Sequence, residues 1–203
     1  QTEAISIDLD ASYVTLKSQE GVHRHRFDSV VFAGGASSIK APIEGLSGKG
    51  VTFFRNLDHL KELRQLIQAG AKKAVVLGCG PYGVEALAGL QGANLEVDVI
   101  EKASRILPQF SLPASYAAAA MVRESGARLH LNVEVVGAEM IGETRRRLHL
   151  SNGKTVDADI VVVCIGMKPQ SQLLAEAGAS IHATGAVRVD ASMETTLPRV
   201  FAC

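Results

Sequence analysis

Little in this sequence points towards a membrane, a nucleic acid or a disulfide framework. The 203 residues carry 21 Lys plus Arg against 21 Asp plus Glu, a formal net charge of zero. The two signs are interspersed, so neither a nucleic-acid surface nor a membrane surface is expected. No apolar run is long enough to cross a bilayer. No signal-peptide pattern and no low-complexity tract is present. Cysteine is sparse: Cys79, Cys164 and Cys203 stand apart, with no C-x-x-C or other metal-ligand spacing. An odd number of thiols in mostly apolar settings points to a reducing, cytoplasmic location. His23 and His25 share one strand face but lack a third ligand, so no metal site is expected. What is present is 47% hydrophobic residues, enough for one large domain or two small ones.

The most informative stretch runs from Lys73 to Glu101. Ala74–Leu77 is a short apolar, β-rich run, as in a strand buried on both faces. Gly78-Cys79-Gly80-Pro81-Tyr82-Gly83 fits G-x-G-x-x-G. Val84, Leu87, Ala88 and Leu90 keep helical spacing, and Leu95–Ile100 leads to Glu101 as a second strand. Gly78 permits a tight turn, Gly80 lets a pyrophosphate approach the backbone, and Gly83 lets the helix pack closely on the sheet. The free N–H groups of the helix start favour an anion. Glu101 lies where a carboxylate accepts hydrogen bonds from a ribose diol and repels a 2′-phosphate. That favours NAD(H) over NADP(H), while Lys102 and Arg105 pull the other way. Alone, the glycine pattern is an ordinary strand-to-helix turn; the second strand and its terminal acid give it meaning. Cys79 reads first as a small residue filling the turn; the alternative is a reactive thiol, since a helix start lowers a thiol pKa.

The rest of the chain can be placed around this unit. Residues 4–27 read as a three-stranded meander and Ser29–Ala33 as a buried strand. Residues 36–50 have linker composition. Val51–Phe54 reads as a strand, and Asn56 as the N-cap of a helix whose apolar face is Leu57, Leu60, Leu63, Leu66 and Ile67. A second helix over Ser115–Glu124 and a strand over Arg128–Leu131 complete β-α-β-α-β, with His130 a strand residue at the sheet margin. Residues 133–158 form hairpins, one closed by Asn152-Gly153. Arg145-Arg146-Arg147 reads as a charged exposed edge. Asp159–Ile165 is a buried strand ending at Gly166, Gln172–Ala177 a short helix, Val187–Asp190 a short strand, and Val200–Cys203 a core strand.

Four segments in this order resemble the FAD-dependent pyridine nucleotide–disulfide oxidoreductase superfamily, which includes NADH oxidases, CoA-disulfide reductases and ferredoxin or rubredoxin reductases. They are Phe27–Ala36, Gly78–Glu85, Ile165–Pro169 and Val189–Ala202. Two departures stand out: Gly34 occupies the place of a usual threonine, and Pro81-Tyr82 sets the aromatic of the glycine turn one position away from its usual place. The resemblance implies an α/β fold: a Rossmann-like βαβαβ NAD(P)-binding domain with a β-meander, plus β-rich remnants of a flavin domain. It implies a division into 1–50 (meander and crossover strand of the flavin domain), 51–166 (NADH-binding domain) and 167–203 (return to the flavin domain). The family's first flavin-binding βαβ, its Gly-Asp flavin contact and its interface domain are expected outside this span, and so are its redox cysteines.

The function implied is a half-reaction: hydride passes from NADH to FAD, and electrons then go to an acceptor that lies outside the sequence's reach. The cofactor-binding residues expected are Gly78, Gly80, Pro81, Tyr82, Gly83, Glu85, Glu101, Lys102 and Gly166, with no catalytic acid, base or nucleophile and no metal. The cofactors expected are NAD(H) and, in a full-length protein, FAD. The partners expected are NADH and the missing flavin and interface domains of the same protein, with no nucleic acid and no membrane. The chain alone is expected to be inactive for want of a complete FAD site. The alternative is a non-catalytic NAD(H)-sensing or interaction module. A stand-alone dehydrogenase would need a substrate domain and a base near the nicotinamide, and neither is visible.

Overall fold

The computed structural model describes residues 2–203. Contacts divide it into two compact units: a central unit, Ser38–Gly166, and a flanking unit made of the chain up to Ser37 together with Met167–Cys203. The first division thus falls near the start of the linker-like residues, and those from Ser38 onwards join the central unit.

The chain enters as an antiparallel meander of β1 (Thr2–Asp8), β2 (Tyr13–Ser18) and β3 (Gly21–Arg26). Asp8 pairs with Tyr13 and Ser18 with Gly21, the latter across a turn in which Gly21 takes φ +123°. His23 and His25 are exposed on β3. Next come β4 (Val30–Phe32) and β5 (Ala36–Ser38). A buried strand was expected at β4; instead Val31 is 68% exposed. A local apolar run shows a preference for burial but not whether neighbours exist to supply it.

The central unit is built on β6 (Val51–Phe53), α1 (Leu57–Gln68), β7 (Lys73–Leu77), α2 (Pro81–Gly92), β8 (Glu96–Glu101), α3 (Leu112–Glu124) and β9 (Arg128–Leu131). It continues with β10 (Val135–Met140), β11 (Arg146–Leu150), β12 (Thr155–Ala158) and β13 (Ile160–Val163). A five-stranded sheet runs β6-β13-β7-β8-β9, parallel throughout. Because strand side chains alternate, its residues feed two cores. Ala74, Val76, Val97, Val99, Ile160 and Val162 join Leu63, Leu87, Leu90 and Val122 from the helices. Val75, Leu77, Ile100, Val161 and Val163 join Val135, Leu148 and Leu150 from the antiparallel sheet β10-β11-β12. Asn56 caps α1 as expected, its Oδ1 accepting from the His59 N–H at 2.9 Å. Leu63, Leu66 and Ile67 pack on the core, but Leu57, expected on that face, is 72% exposed at the first turn.

Two readings of the sequence are overturned here. The stretch before β6 is not an open linker: Leu46 is buried, and the Arg146 guanidinium donates to the carbonyls of Gly45, Ser47 and Lys49. For the same reason the three arginines are not one exposed edge. Arg145 and Arg147 pair with Asp159 and Asp157, while Arg146 is buried. Strand alternation sends the middle residue of the three to the opposite face.

The chain then returns through β14 (Met167–Pro169), which pairs with β5, and α4 (Gln172–Glu176). The strand expected at 187–190 is reduced to isolated bridges, Ile181 with Val187 and Val189 with Thr195. The last strand, β15 (Val200–Ala202), pairs in parallel with β4. Leu174, Ala179, Leu197, Val200 and Ala202 form this unit's small core. No helix among the described residues is long and apolar enough to cross a membrane.

Candidate functional site

Strands β8 and β9 extend to one side of β7, and β13 and β6 to the other. Ligands of open parallel sheets bind at the strands' carboxyl ends where the order reverses in this way. There lies a cleft of about 1010 Å³ within the central unit. Its floor includes Leu77 and Ile100, and its walls include Gly78, Gly80, Glu101 and Gly166.

The three glycines do different work. Gly78 takes φ +88°, and a Cβ there would lie 2.6 Å from the Cys164 carbonyl oxygen, so a side chain is excluded. A Cβ on Gly83 would collide with the Gly78 carbonyl oxygen; its absence lets α2 close onto the turn. Gly80 is different: a Cβ there would meet open space. What it leaves clear is the cleft itself. Gly80 is also the N-cap of α2, with Pro81 at the first helical position. Pro81 has no N–H to satisfy. Helix geometry leaves the N–H groups of Tyr82 and Gly83 without intrahelical acceptors, at the positive end of the helix dipole.

Glu101 closes β8 beside this turn. Its Oε2 accepts from the Cys79 N–H at 2.7 Å and its Oε1 from the Ala103 N–H at 2.7 Å. The carboxylate is thereby fixed in orientation, yet each oxygen keeps a further lone pair for a ligand hydroxyl. Lys102 lines the cleft with its ammonium paired to Glu134 at 2.9 Å. Arg105 is occupied by backbone: it donates to the carbonyls of Phe110 and Pro108. Of the residues singled out in the sequence, Gly78, Gly80, Pro81, Tyr82, Glu101, Lys102 and Gly166 line the cleft. Gly83 is buried behind it and Glu85 is exposed on α2 outside its lining.

Cys79 is buried, and its thiol is pushed up to about 12, chiefly by burial and then by the charges of Glu101 and Cys164. Burial thus favours the first reading of this cysteine, a small residue filling the turn, over the reactive alternative: desolvation outweighs the helix start. Burial likewise pushes Cys164 up to about 12. Among the described residues no group of three His, Cys, Asp or Glu could hold a metal.

Sequence reasoning missed two features. Glu44 and Glu134 also line the cleft. Glu134 stands just past the parallel strand β9, so topology could have marked it, whereas nothing local marks Glu44. The second feature lies in the sheet. Asp98 is buried on β8 and accepts from Arg128 at 2.9 and 2.6 Å and bonds His130 at 2.7 Å. Burial pushes its carboxyl up, but the bonds from Arg128 and His130 outweigh this and hold it below the usual carboxylate value. His130 therefore stands on the edge strand β9, as expected, in an ion-pair cluster.

A glycine turn, an open helix start and an oriented carboxylate at a sheet switch point fit a dinucleotide. The family model described as pyridine nucleotide-disulphide oxidoreductase matches residues 1–203. The chain belongs to this family. Members of the family are FAD- and NAD(H)-dependent oxidoreductases. An NADH oxidase from Methanocaldococcus jannaschii is 28% identical over 206 residues, covering 99% of this chain and 45% of that protein. A rubredoxin-NAD(+) reductase from Pseudomonas putida is 29% identical over 205 residues, covering 99% and 51%. Among solved structures, a NAD-dependent persulfide reductase from A. fulgidus superposes with a TM-score of 0.92 at 32% identity, covering 99% of this chain and 37% of that one. The chain thus spans about half the length of the curated relatives it matches.

Proposed function

We propose that this chain is the NADH-binding portion of a flavoprotein oxidoreductase. The observation that carries the reading is the conjunction at the end of β7. Gly80 leaves open space where a phosphate can approach, free N–H groups of α2 point an anion-binding end at it, and Glu101 is held in place by two backbone bonds. When bound, NADH supplies the hydride and FAD in the whole protein accepts it.

The chain's own residues bind and orient. Gly78, Gly80, Pro81, Tyr82 and Gly83 form the seat of the pyrophosphate, and Glu101 takes the adenosine ribose diol. Leu77, Ile100 and Gly166 line the cleft and give it an apolar base. No side chain here is assigned a proton to move. Glu101, together with a Lys102 already paired and an Arg105 already occupied, favours NADH over NADPH. Without a complete flavin site the isolated chain binds NADH and turns over little.

The test is a fluorescence titration of the purified chain with NADH and with NADPH, preceded by a visible spectrum. Saturable NADH binding, weaker NADPH binding and no flavin absorption are expected. Glu101→Ala should weaken NADH by about ten- to a hundredfold, since a hydrogen bond to a charged acceptor is worth about 1.5–3 kcal/mol. A chain that binds neither nucleotide would refute the reading and put a non-catalytic interaction module ahead of it.

A further inference from the structure

The cleft lining carries three carboxylates, Glu44, Glu101 and Glu134, and one cation, Lys102. The cation is already engaged. Its ammonium is 2.9 Å from Glu134 Oε1, and the two chain segments are held side by side: the Val133 N–H donates to the Glu101 carbonyl at 3.2 Å. Glu134 is itself anchored by backbone. Its N–H donates to Ser151 Oγ at 3.0 Å, and its carbonyl accepts from the Ser151 N–H at 2.8 Å. The carboxylate is thus presented to Lys102 from a fixed point. Arg105, the other nearby cation, is committed to two carbonyls of the 108–110 turn.

We propose that Glu134 is a specificity-determining residue: by holding Lys102 in an ion pair it denies that cation to a 2′-phosphate and so strengthens the preference for NADH over NADPH. The inference rests on the NADH-binding reading above. A 2′-phosphate seated at the Glu101 end of the cleft needs a neighbouring cation. To recruit Lys102 it must break the pair, and it then lies against both Glu101 and the released Glu134. A ribose diol needs neither step. Both partners are largely exposed, 77% and 49% at the side chain, so the pair adds little to stability. Removing it is therefore expected to leave the fold intact.

The experiment is a titration of the full chain with NADH and NADPH at low ionic strength, where exposed charges are least screened. The readout is the ratio of the two dissociation constants. Glu134→Gln should shift the ratio towards NADPH by about fivefold, the scale of one exposed ion pair, with an unchanged melting curve. Glu44→Gln makes the same change in charge without releasing Lys102 and should shift the ratio less than twofold. Adding Lys102→Gln to Glu134→Gln should abolish the gain. An unchanged ratio in Glu134→Gln, an equal shift in Glu44→Gln, or a gain that survives loss of Lys102 would each overturn the assignment. If the unmodified chain binds neither nucleotide, the cofactor reading itself fails; binding of NADH with no effect at Glu134 defeats this inference alone.

Discussion

The two units of this chain reach order by different means. In the central unit five parallel strands share one sheet, and the strands that flank the glycine turn are buried almost throughout: Val75, Val76, Val99, Ile160 and Val162 are inaccessible or nearly so. In the flanking unit the longer strands are those of the largely exposed meander β1–β3; β4, β5, β14 and β15 are three residues each, and the segment from Ile181 to Phe201 pairs through isolated bridges. There, polar side chains do what ladders do elsewhere. Asp190 accepts from the N–H groups of Ser192 and Glu194, Thr196 from Ser180, and Glu194 from Arg199. The apolar core beneath them is small. A sheet with two covered faces can hold a cleft in fixed shape; a segment tied by side-chain bonds and a few apolar contacts has lower local stability.

The largest effects should come from core truncation. Leu148→Ala in the central unit and Leu174→Ala in the flanking unit each empty a fully buried position and should cost about 2–5 kcal/mol in urea unfolding. They should differ in function. All cleft-lining residues lie between Ala41 and Gly166, so Leu148→Ala should weaken NADH binding and Leu174→Ala should leave it within about twofold. Loss of binding in Leu174→Ala would break the comparison.

A smaller effect is expected at Asp98. Its carboxyl lies below the ordinary 3.8 in the folded chain. Its contribution is therefore fully present above the unfolded value and is lost as pH falls through the folded one. Asp98→Asn should cost about 1–3 kcal/mol at pH 7, and the gap in melting temperature from the unmodified chain should close as pH falls below 3.8. A gap independent of pH would show that packing, and not the charge, is what matters there.

The smallest effect is on thiol chemistry. Cys203 is exposed, while Cys79 and Cys164 are each pushed up to about 12. A disulfide reagent at pH 8 should label Cys203 rapidly and the other two only on unfolding. Fast labelling of Cys79 in the folded chain would favour the reactive alternative over the turn-filling reading.

These contrasts also mark how far the sequence could be read. What was legible had a local cause. The apolar run Ala74–Leu77, the glycines after it, the helical spacing of Leu87 and Leu90 and the acid at Glu101 all lie within about thirty residues. Asn56 and the Asn152-Gly153 turn announced themselves by residue type. What was not legible depended on distant partners. The entry of β13 between β6 and β7, the carbonyls that gather round Arg146 and the Arg128–Asp98 pair span tens of residues and leave no periodic trace. The exposure of Val31 and Leu57 failed for the same reason, since an apolar residue does not state what will cover it. In the cleft, the glycines and Glu101 were found from spacing, whereas Glu44 and Glu134 arrive through topology.

The central claim is that the open space at Gly80 is the seat of a dinucleotide phosphate. Gly80→Val tests it most directly, because the residue sits at φ −75°, ψ −172°, which valine adopts readily, and its Cβ would touch nothing in the protein. The variant and the unmodified chain are titrated with NADH by fluorescence, with melting curves recorded alongside. The account predicts a melting temperature lowered by no more than about 4 °C, about 1 kcal/mol, the scale of an N-cap glycine replaced by valine, together with NADH binding weakened tenfold or more, about 1.4 kcal/mol. Equal affinity in a chain equally well folded would mean that the nucleotide does not sit on this turn.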